Sequence, residues 1–397
     1  MNKNKLPNDW QKTTLGDILK ISSGNGLTKS KRNDEGDYLV YGGNGVTGKH
    51  NKYLFEEEKL IIGRVGVHCG NVYITKPKSW VTDNAFVVSF NEAEINKKFL
   101  LSLIGILNLN KYSVSTAQPV ISQGKLYPIE ISLPPLTTQL AIVSKIEELF
   151  SELDKGIEDL KTSQQQLKTY RQSVLKFAFE GKLTNKKVKD GVLPKGWNKI
   201  QIKNVALINP KLPNKELIAK ETEVQFLPMK LVEAIINKIH LSEIRKFEEV
   251  LKGSYTPFIE GDVVFAKVTP CMENGKIAIV EKLKNGIGFG SSEFHVVRAG
   301  EKISNKYIFY FLIQNGFRNE AANEMTGAVG LRRVPKQFIE NYYIPLPSTE
   351  EQHQIIQEIE SRLNVADKME ESIAQSLLQA EALRQSILKK AFSGDLI

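Results

Sequence analysis

The chain has 397 residues, of which 41% are hydrophobic and 25% charged, and it carries a formal net charge of +9. That length predicts two or three domains, and the composition is that of an ordinary globular protein with no apolar run long enough to span a membrane. The excess positive charge favours a polyanionic partner, nucleic acid ahead of a membrane surface.

In chain order, MNKNKLPNDW carries lysines but no apolar stretch behind them, so no signal peptide is expected and the protein reads as cytoplasmic. LPNDW at Leu6 leads into the short alternating stretch TTLGDIL, and a first globular region runs to residue 135. Within it YLVYGGNG, KLIIGRVG, NVYITKP and NAFVVSF are β-branched and aromatic runs bounded by Gly, Asn and Pro, which predicts strands. A helical piece, NKKFLLSLIGILN, follows near Asn96. Residues 136–184 read as one long helix, and residues 185–196 (NKKVKDGVLPKG) as a linker rich in Lys, Gly and Pro. A second globular region, counted with its linker as 185–347, opens on LPKGW at Leu193 and IQIKNVA. It repeats the strand signals in GDVVFAKV, GKIAIVEK and SEFHVVRA, with NKYIFYFLIQNGF near Asn305 as its helical piece. Residues 348–397 form a second long helix. Cys69 and Cys271 stand far apart with no CxxC, which suggests neither a disulfide framework nor a zinc site.

The two halves are copies. From Leu133 onward the first long helix aligns without a gap to the second, every pair offset by 213 positions: Gln139 with Gln352, Arg171 with Arg384, Gly181 with Gly394. The LPxxW openings are offset by 187, so the second globe is longer by the difference, 26 residues. Along each helix an apolar row recurs every seven residues: Ile146, Leu153, Leu160, Leu167 and Val174 in one, Ile359, Ala366, Ile373, Ala380 and Ile387 in the other. Five heptads of this kind predict a coiled coil, each seam covering the other. Because the first helix leads away from globe one and the second starts at globe two, they should pair antiparallel, each spanning roughly 60 Å at about 1.5 Å per residue. A second row puts Arg171 where it can face Glu370 or point to solvent. The fold class expected is therefore α+β: two pseudo-symmetric, mainly-β domains separated by two long antiparallel helices.

No motif for catalysis survives inspection. Gly43–His50 (GNGVTGKH) fits GxxxxGK, but His50 stands where a phosphate loop needs Ser or Thr, so it reads as a turn-rich loop. Asn209-Pro210-Lys211 lacks the second proline and the aromatic of an amino-methylating box, and HExxH is absent. What remains are basic, polar loops between strands, offering the donors that read base edges and phosphates. The candidate DNA-contacting residues are Lys29, Arg32, Asn44, Lys49, Arg64, His68, Thr116 and Gln118 in globe one. In globe two they are Lys267, Thr269, Asn274, Lys276, Ser292, Arg332 and Arg333. For any one of them a plain solvated turn is the alternative; Arg64 and Lys267 occupy corresponding places.

The sequence resembles the specificity (S) subunit of type I restriction-modification enzymes over almost its whole length. The likeness rests on LPxxW, GRVGVHCGNV, TDNAFVV and STAQPVIS in the first half. In the second it rests on GDVVFAKVTPCMENGKIAI, SSEFHVV and TGAVGLRRV, and in both on the RQSxLKxAFxGxL helix endings. One departure is TTQ at the start of the first long helix against EEQ in the second, which looks inessential. The resemblance implies two target recognition domains, each reading half of a split, asymmetric site on double-stranded DNA. It implies helices that set the gap and dock two modification subunits. Those partners would carry S-adenosylmethionine and methylate adenine at N6, restriction subunits would add ATP- and Mg-dependent translocation and cleavage, and this chain would bind no cofactor. The rival readings are a stand-alone two-domain repressor, a nucleotide-using enzyme built on Gly43–Lys49, and a dimerisation scaffold.

Overall fold

Leu136–Phe179 is one helix of 44 residues and Thr349–Ser393 one of 45. The computed structural model describes residues 7–33, 35–114, 119–185, 187–328 and 330–397. Both helices end in the same way. Gly181 and Gly394 adopt left-handed φ of 76° and 81°, and Lys182 and Asp395 donate backward to the carbonyls of Phe177 and Lys390 at 2.8 and 2.9 Å. That is the glycine-terminated helix end that satisfies otherwise orphaned carbonyls. A Cβ on Gly181 would lie 2.2 Å from Pro194 Cγ, and one on Gly394 2.6 Å from Pro7 Cγ. Each glycine thus seats the proline of an LPxxW motif, whose tryptophan (Trp197 or Trp10) is buried beside it.

The chain divides into two compact units, one made of residues up to Lys161 together with Ala374–Ile397, the other of Thr162–Ile373. The first unit holds a ribbon of β1 (Gln11–Thr14) against β9 (Glu130–Leu133). Its main sheet has the order β2-β8-β5-β6, from Leu19–Ser23, Ala85–Phe90, Leu60–Gly63 and Val72–Ile74, with all neighbours antiparallel. A three-stranded sheet, β4-β3-β7, joins Gly45–His50, Tyr38–Gly42 and Trp80–Val81, with β3 parallel to β7. The helix Lys97–Ile106 is capped by Asn96, whose side chain accepts from the amides of Lys98 and Phe99. Its Phe99, Leu100 and Leu103 join Phe86 and Leu60 of the main sheet in a core. Ile142 and Ile146 of the first long helix and Ile387 and Ala391 of the second belong to the same core.

The second unit repeats this plan. β10 (Asn198–Gln201) pairs with β19 (Tyr343–Leu346), and the main sheet runs β11-β18-β15-β16 over Ala206–Ile208, Phe294–Ala299, Val263–Ala266 and Ile277–Ile279. Its further sheet has four strands, β13-β12-β17-β14, from Glu243–Lys246, Glu223–Leu227, Ile287–Gly290 and Thr256–Ile259. β12 and β17 are parallel like β3 and β7, and β14 is a full strand where the first globe has a Phe55–Ser79 bridge. Most of the extra length lies here, since β15 starts 203 positions after β5 but β11 only 187 after β2. Asn305–Ile313 and Asn315–Asn323 supply Phe311 and Phe317 to a core that also takes Phe179, Ile355 and Ile359 from the long helices. Burying aromatics such as Phe179 contributes roughly 1.5–3 kcal/mol each.

Within each unit the two long helices run antiparallel. In the second, Arg171 pairs with Asp367 (2.6 Å) and Glu370 (2.9 Å), so it faces its partner helix rather than solvent. Further along, Thr184 and Asn185 reach Glu351 at 2.8 Å. In the first, Arg384 pairs with Asp154 and lies 4.5 Å over the Phe150 ring. Arg384 and Asp154 are the 213-residue counterparts of Arg171 and Asp367. With half-exposed carboxylates each pair is worth at most about 1 kcal/mol, and apolar packing carries the contact. Of the seam, Ile146, Leu167, Ile359, Ala366, Ile373, Ala380 and Ile387 are buried; Leu153 and Leu160 are half-buried.

A buried amide fixes each helix to its globe. Gln352 is fully buried. Its Nε2 donates to the carbonyls of Lys302 (2.9 Å) and Pro347 (3.3 Å), and its Oε1 accepts from the Ser304 amide (2.9 Å). Gln139 does the same with the carbonyls of Glu94 and Pro134 and the amide of Asn96. The EEQ departure has a structural role after all. Glu351 accepts from Trp197 Nε1 at 3.0 Å as well as from Thr184 and Asn185, a place that Thr138 takes in the first copy.

Candidate nucleic-acid interface

In both globes the third strand of the main sheet ends in a cation held by one backbone frame. Arg64 donates its amide to the Asn84 carbonyl (2.9 Å), and its own carbonyl accepts from Ile121 (2.9 Å). Lys267 donates to the Glu293 carbonyl and accepts from Val334, again at 2.9 Å each. The next residues make matching bridges, Val65 with Val120 and Val268 with Arg333. The correspondence of Arg64 with Lys267 is therefore a structural equivalence. It extends to Asn84 with Glu293 and Val120 with Arg333.

In globe one, Arg64 sits with its guanidinium carbon 5.3 Å from the Phe86 ring and Nη1 3.4 Å from Ser23 Oγ. Its Nε is buried without a hydrogen-bond partner among the described residues. Gly63 lets the β3–β4 turn close on this place, because a Cβ there would meet the Gly43 carbonyl oxygen at 2.2 Å. That brings exposed Asn44, which accepts from Tyr73 Oη at 3.3 Å, to the same rim. His68 is exposed in the following loop, beside Val67 at 78% exposure. Lys29, Arg32 and Lys49 gather around the β3–β4 hairpin instead. Arg32 Nη1 donates to the Thr47 carbonyl (2.8 Å), and the Lys49 carbonyl accepts from the Asn33 amide (3.0 Å). Thr116 and Gln118 lie outside the described residues. The expected turn-rich loop Gly43–His50 is a turn only at Gly43 and Asn44; Gly45–His50 is strand β4. Ile287–Gly290, shortly before the candidate Ser292, is strand β17.

Globe two assembles its candidates more tightly. Lys267, Thr269, Arg332 and Arg333 share one strip, since Thr269 donates its amide to the Arg332 carbonyl (3.0 Å) and Ala266 to that of Lys276 (2.9 Å). Several are held internally. Arg333 clamps Glu293 through Nε (2.8 Å) and Nη2 (2.7 Å), which holds that carboxyl below the usual range and raises the guanidinium. Thr269 Oγ1 lies 3.0 Å from Glu273 Oε1, and Lys276 Nζ donates to the Met229 carbonyl (3.0 Å). Arg332, Ser292 and Asn274 are exposed. Behind the strip, buried His295 is fixed by Asn209 at Nδ1 (3.0 Å) and by the Val334 carbonyl at Nε2 (2.9 Å), and burial lowers its pKa. Sequence reading missed Glu293, the acid that decides what Arg333 can do. Its signal was present in SSEFH, one position after Ser292.

Among the described residues no three His, Cys, Asp or Glu side chains gather to hold a metal ion, and no helix is long and apolar enough to cross a membrane.

The family of the type I restriction modification DNA specificity domain matches residues 7–162 and 194–379. The EcoAI and EcoEI specificity subunits of Escherichia coli are 39% and 36% identical over 197 residues, 49% of this chain; those segments span only 33% and 32% of the two relatives. The EcoDI specificity subunit is 25% identical over 418 residues, covering 100% of this chain and 90% of that one. Among solved structures, a chain from a type I R-M system studied for its complex assembly and conformational transition has a TM-score of 0.72. It is 18% identical and covers 99% of this chain and 100% of its own. The HsdS subunit from Thermoanaerobacter tengcongensis has a TM-score of 0.60 at 18% identity, covering 100% of this chain and 99% of its own. At that identity the two structures establish the fold.

Proposed function

The chain belongs to the family of the type I restriction modification DNA specificity domain, and from that premise we propose that it is the sequence-reading, non-catalytic subunit of such a system. Each globe reads one half of a bipartite, asymmetric site on double-stranded DNA. The long helices set the interval between the halves and dock two modification subunits. Those subunits bring S-adenosylmethionine, restriction subunits bring ATP and Mg, and this chain carries no cofactor of its own.

One observation carries the reading: the two globes present different side chains from one backbone frame. Arg64, Asn84 and Val120 stand where the second globe has Lys267, Glu293 and Arg333. A repeated scaffold with unlike groups at its rim is what two unlike half-sites require, since base edges are told apart by donor and acceptor pattern. The stand-alone repressor is not favoured.

The test is binding of the full chain to duplex DNA across salt concentrations, alone and with modification subunits, together with mapping of methylated adenines in cells that express the system. Affinity that falls steeply with salt, discrimination that sharpens when modification subunits are added, and a two-part methylated motif are expected. Tight discrimination by the isolated chain with no effect of those subunits would favour the repressor; no measurable affinity for duplex DNA at low salt, with or without those subunits, would remove DNA binding altogether.

A further inference from the structure

We propose that Arg64 reads a guanine in the half-site of globe one, and that Arg333, its nearest arginine counterpart in globe two, reads no base because its fork is already closed on Glu293. This rests on the DNA-binding reading above. Arginine recognises guanine by presenting two parallel N–H donors to O6 and N7, a geometry that lysine cannot reproduce. Whether an arginine can do so depends on what already holds its donors.

At Arg64 the base of the guanidinium is fixed and, among the described residues, no carboxylate takes its outer edge. The backbone is tied at both ends by Asn84 and Ile121, Phe86 backs the ion, and Nε is buried. Among the described residues, the one side-chain partner at its outer edge is the Ser23 hydroxyl, at 3.4 Å, a long and weak contact. The residue whose backbone frames it, Asn84, is neutral. At Arg333 the position equivalent to Asn84 is Glu293, and two charge-assisted hydrogen bonds take Nε and Nη2, while Nη1 donates to the Leu331 carbonyl (3.1 Å). Every nitrogen of that fork is engaged. In globe two Lys267 and exposed Arg332 stay positive while Arg333 is paired with Glu293, so the two rims differ in their capacity for bidentate readout. In globe two Arg333 acts as a positioning residue: it neutralises Glu293 and leaves Lys267 as a point charge.

The experiment selects bound duplexes from a randomised library with the full chain and with three variants, then measures base preference at each enriched position. The wild-type chain should enrich a motif with a guanine in one half. Arg64→Lys should relax that single position by about ten- to hundredfold while affinity for DNA that lacks the motif stays within about threefold. Arg64→Gln should shift the same position toward adenine, which glutamine pairs with at N6 and N7, a gain that misfolding cannot mimic. Arg333→Lys should leave every guanine preference in place. A motif unchanged by both Arg64 variants, a uniform loss at all positions, or a guanine relaxed by Arg333→Lys would overturn the proposal while leaving DNA recognition standing. Absence of any enriched motif with the wild-type chain would instead take down the DNA reading, and this inference with it.

Discussion

Replacing Gln352 with methionine isolates the joint between a globe and its helix. The side chain is fully buried and makes three hydrogen bonds, to the carbonyls of Lys302 and Pro347 and from the Ser304 amide. Methionine keeps the length and most of the volume, so cavity formation adds little. What is lost is about 1 kcal/mol per hydrogen bond, plus the cost of leaving buried backbone groups without partners, for a total of roughly 2–4 kcal/mol. In a unit of this size 1 kcal/mol moves Tm by about 2–4 °C, so a drop of roughly 4–16 °C is expected. Differential scanning calorimetry of the full chain measures it, with exposed Gln166→Met as a control that should stay within about 0.5 kcal/mol of wild type. Gln139→Met should do in the first unit what Gln352→Met does in the second. A Tm shift within about 2 °C for Gln352→Met would refute the assignment of the buried amide as the joint.

Four further outcomes follow from the same geometry. Arg64→Ala or Lys267→Ala should weaken DNA binding by about 1–3 kcal/mol if the group touches a base, or flatten the salt slope by about one if it touches a phosphate; titrations at several salt concentrations separate these. His295 is held neutral, its pKa depressed by burial, so the unfolded state takes up its proton more readily. Its contribution is complete above the unfolded value, about 6.5, and is lost as pH falls through the lower folded value. Urea melts between pH 7.5 and 5 should show that loss in wild type and less of it in His295→Gln, and equal pH slopes would contradict it. Gly156→Ala, in an open stretch of helix where a Cβ meets nothing within 4 Å, should stabilise by about 0.5–1 kcal/mol. Gly181→Ala, with φ of 76° and Pro194 2.2 Å from the new Cβ, should cost about 2 kcal/mol or more in the same melts.

The long helices were legible because their seams repeat every seven residues and because glycine and LPxxW recur at fixed offsets. The main-sheet strands were legible because they are buried on β-branched runs such as LIIG and VVFA. Strand β4 was not. It sits at the edge of a three-stranded sheet with several side chains exposed, so GVTGKH shows no apolar alternation and its glycines imitate a turn. At the rim, Arg64 and Lys267 could be found because each directly follows a buried strand. The engagement of Arg333 could not, since Glu293 lies 40 positions away and only the pairing of Val268 with Arg333 brings the two together. Glu351 was passed over for the same reason: its three partners are set by the turn after Gly181, which no local pattern reveals.

The division of the chain also bears on the order in which it folds during synthesis. Thr162–Ile373 is a contiguous segment and has all of its own core once Ile373 has been made. The unit begun first needs Ile387 and Ala391 to cover Ile142 and Ile146, and these come from Ala374–Ile397. At roughly 5–20 residues per second, the interval from Lys161 to Ala374 is on the order of 10–40 seconds. For that time the earlier-born half waits with an apolar strip open, and the half started last is the first to close.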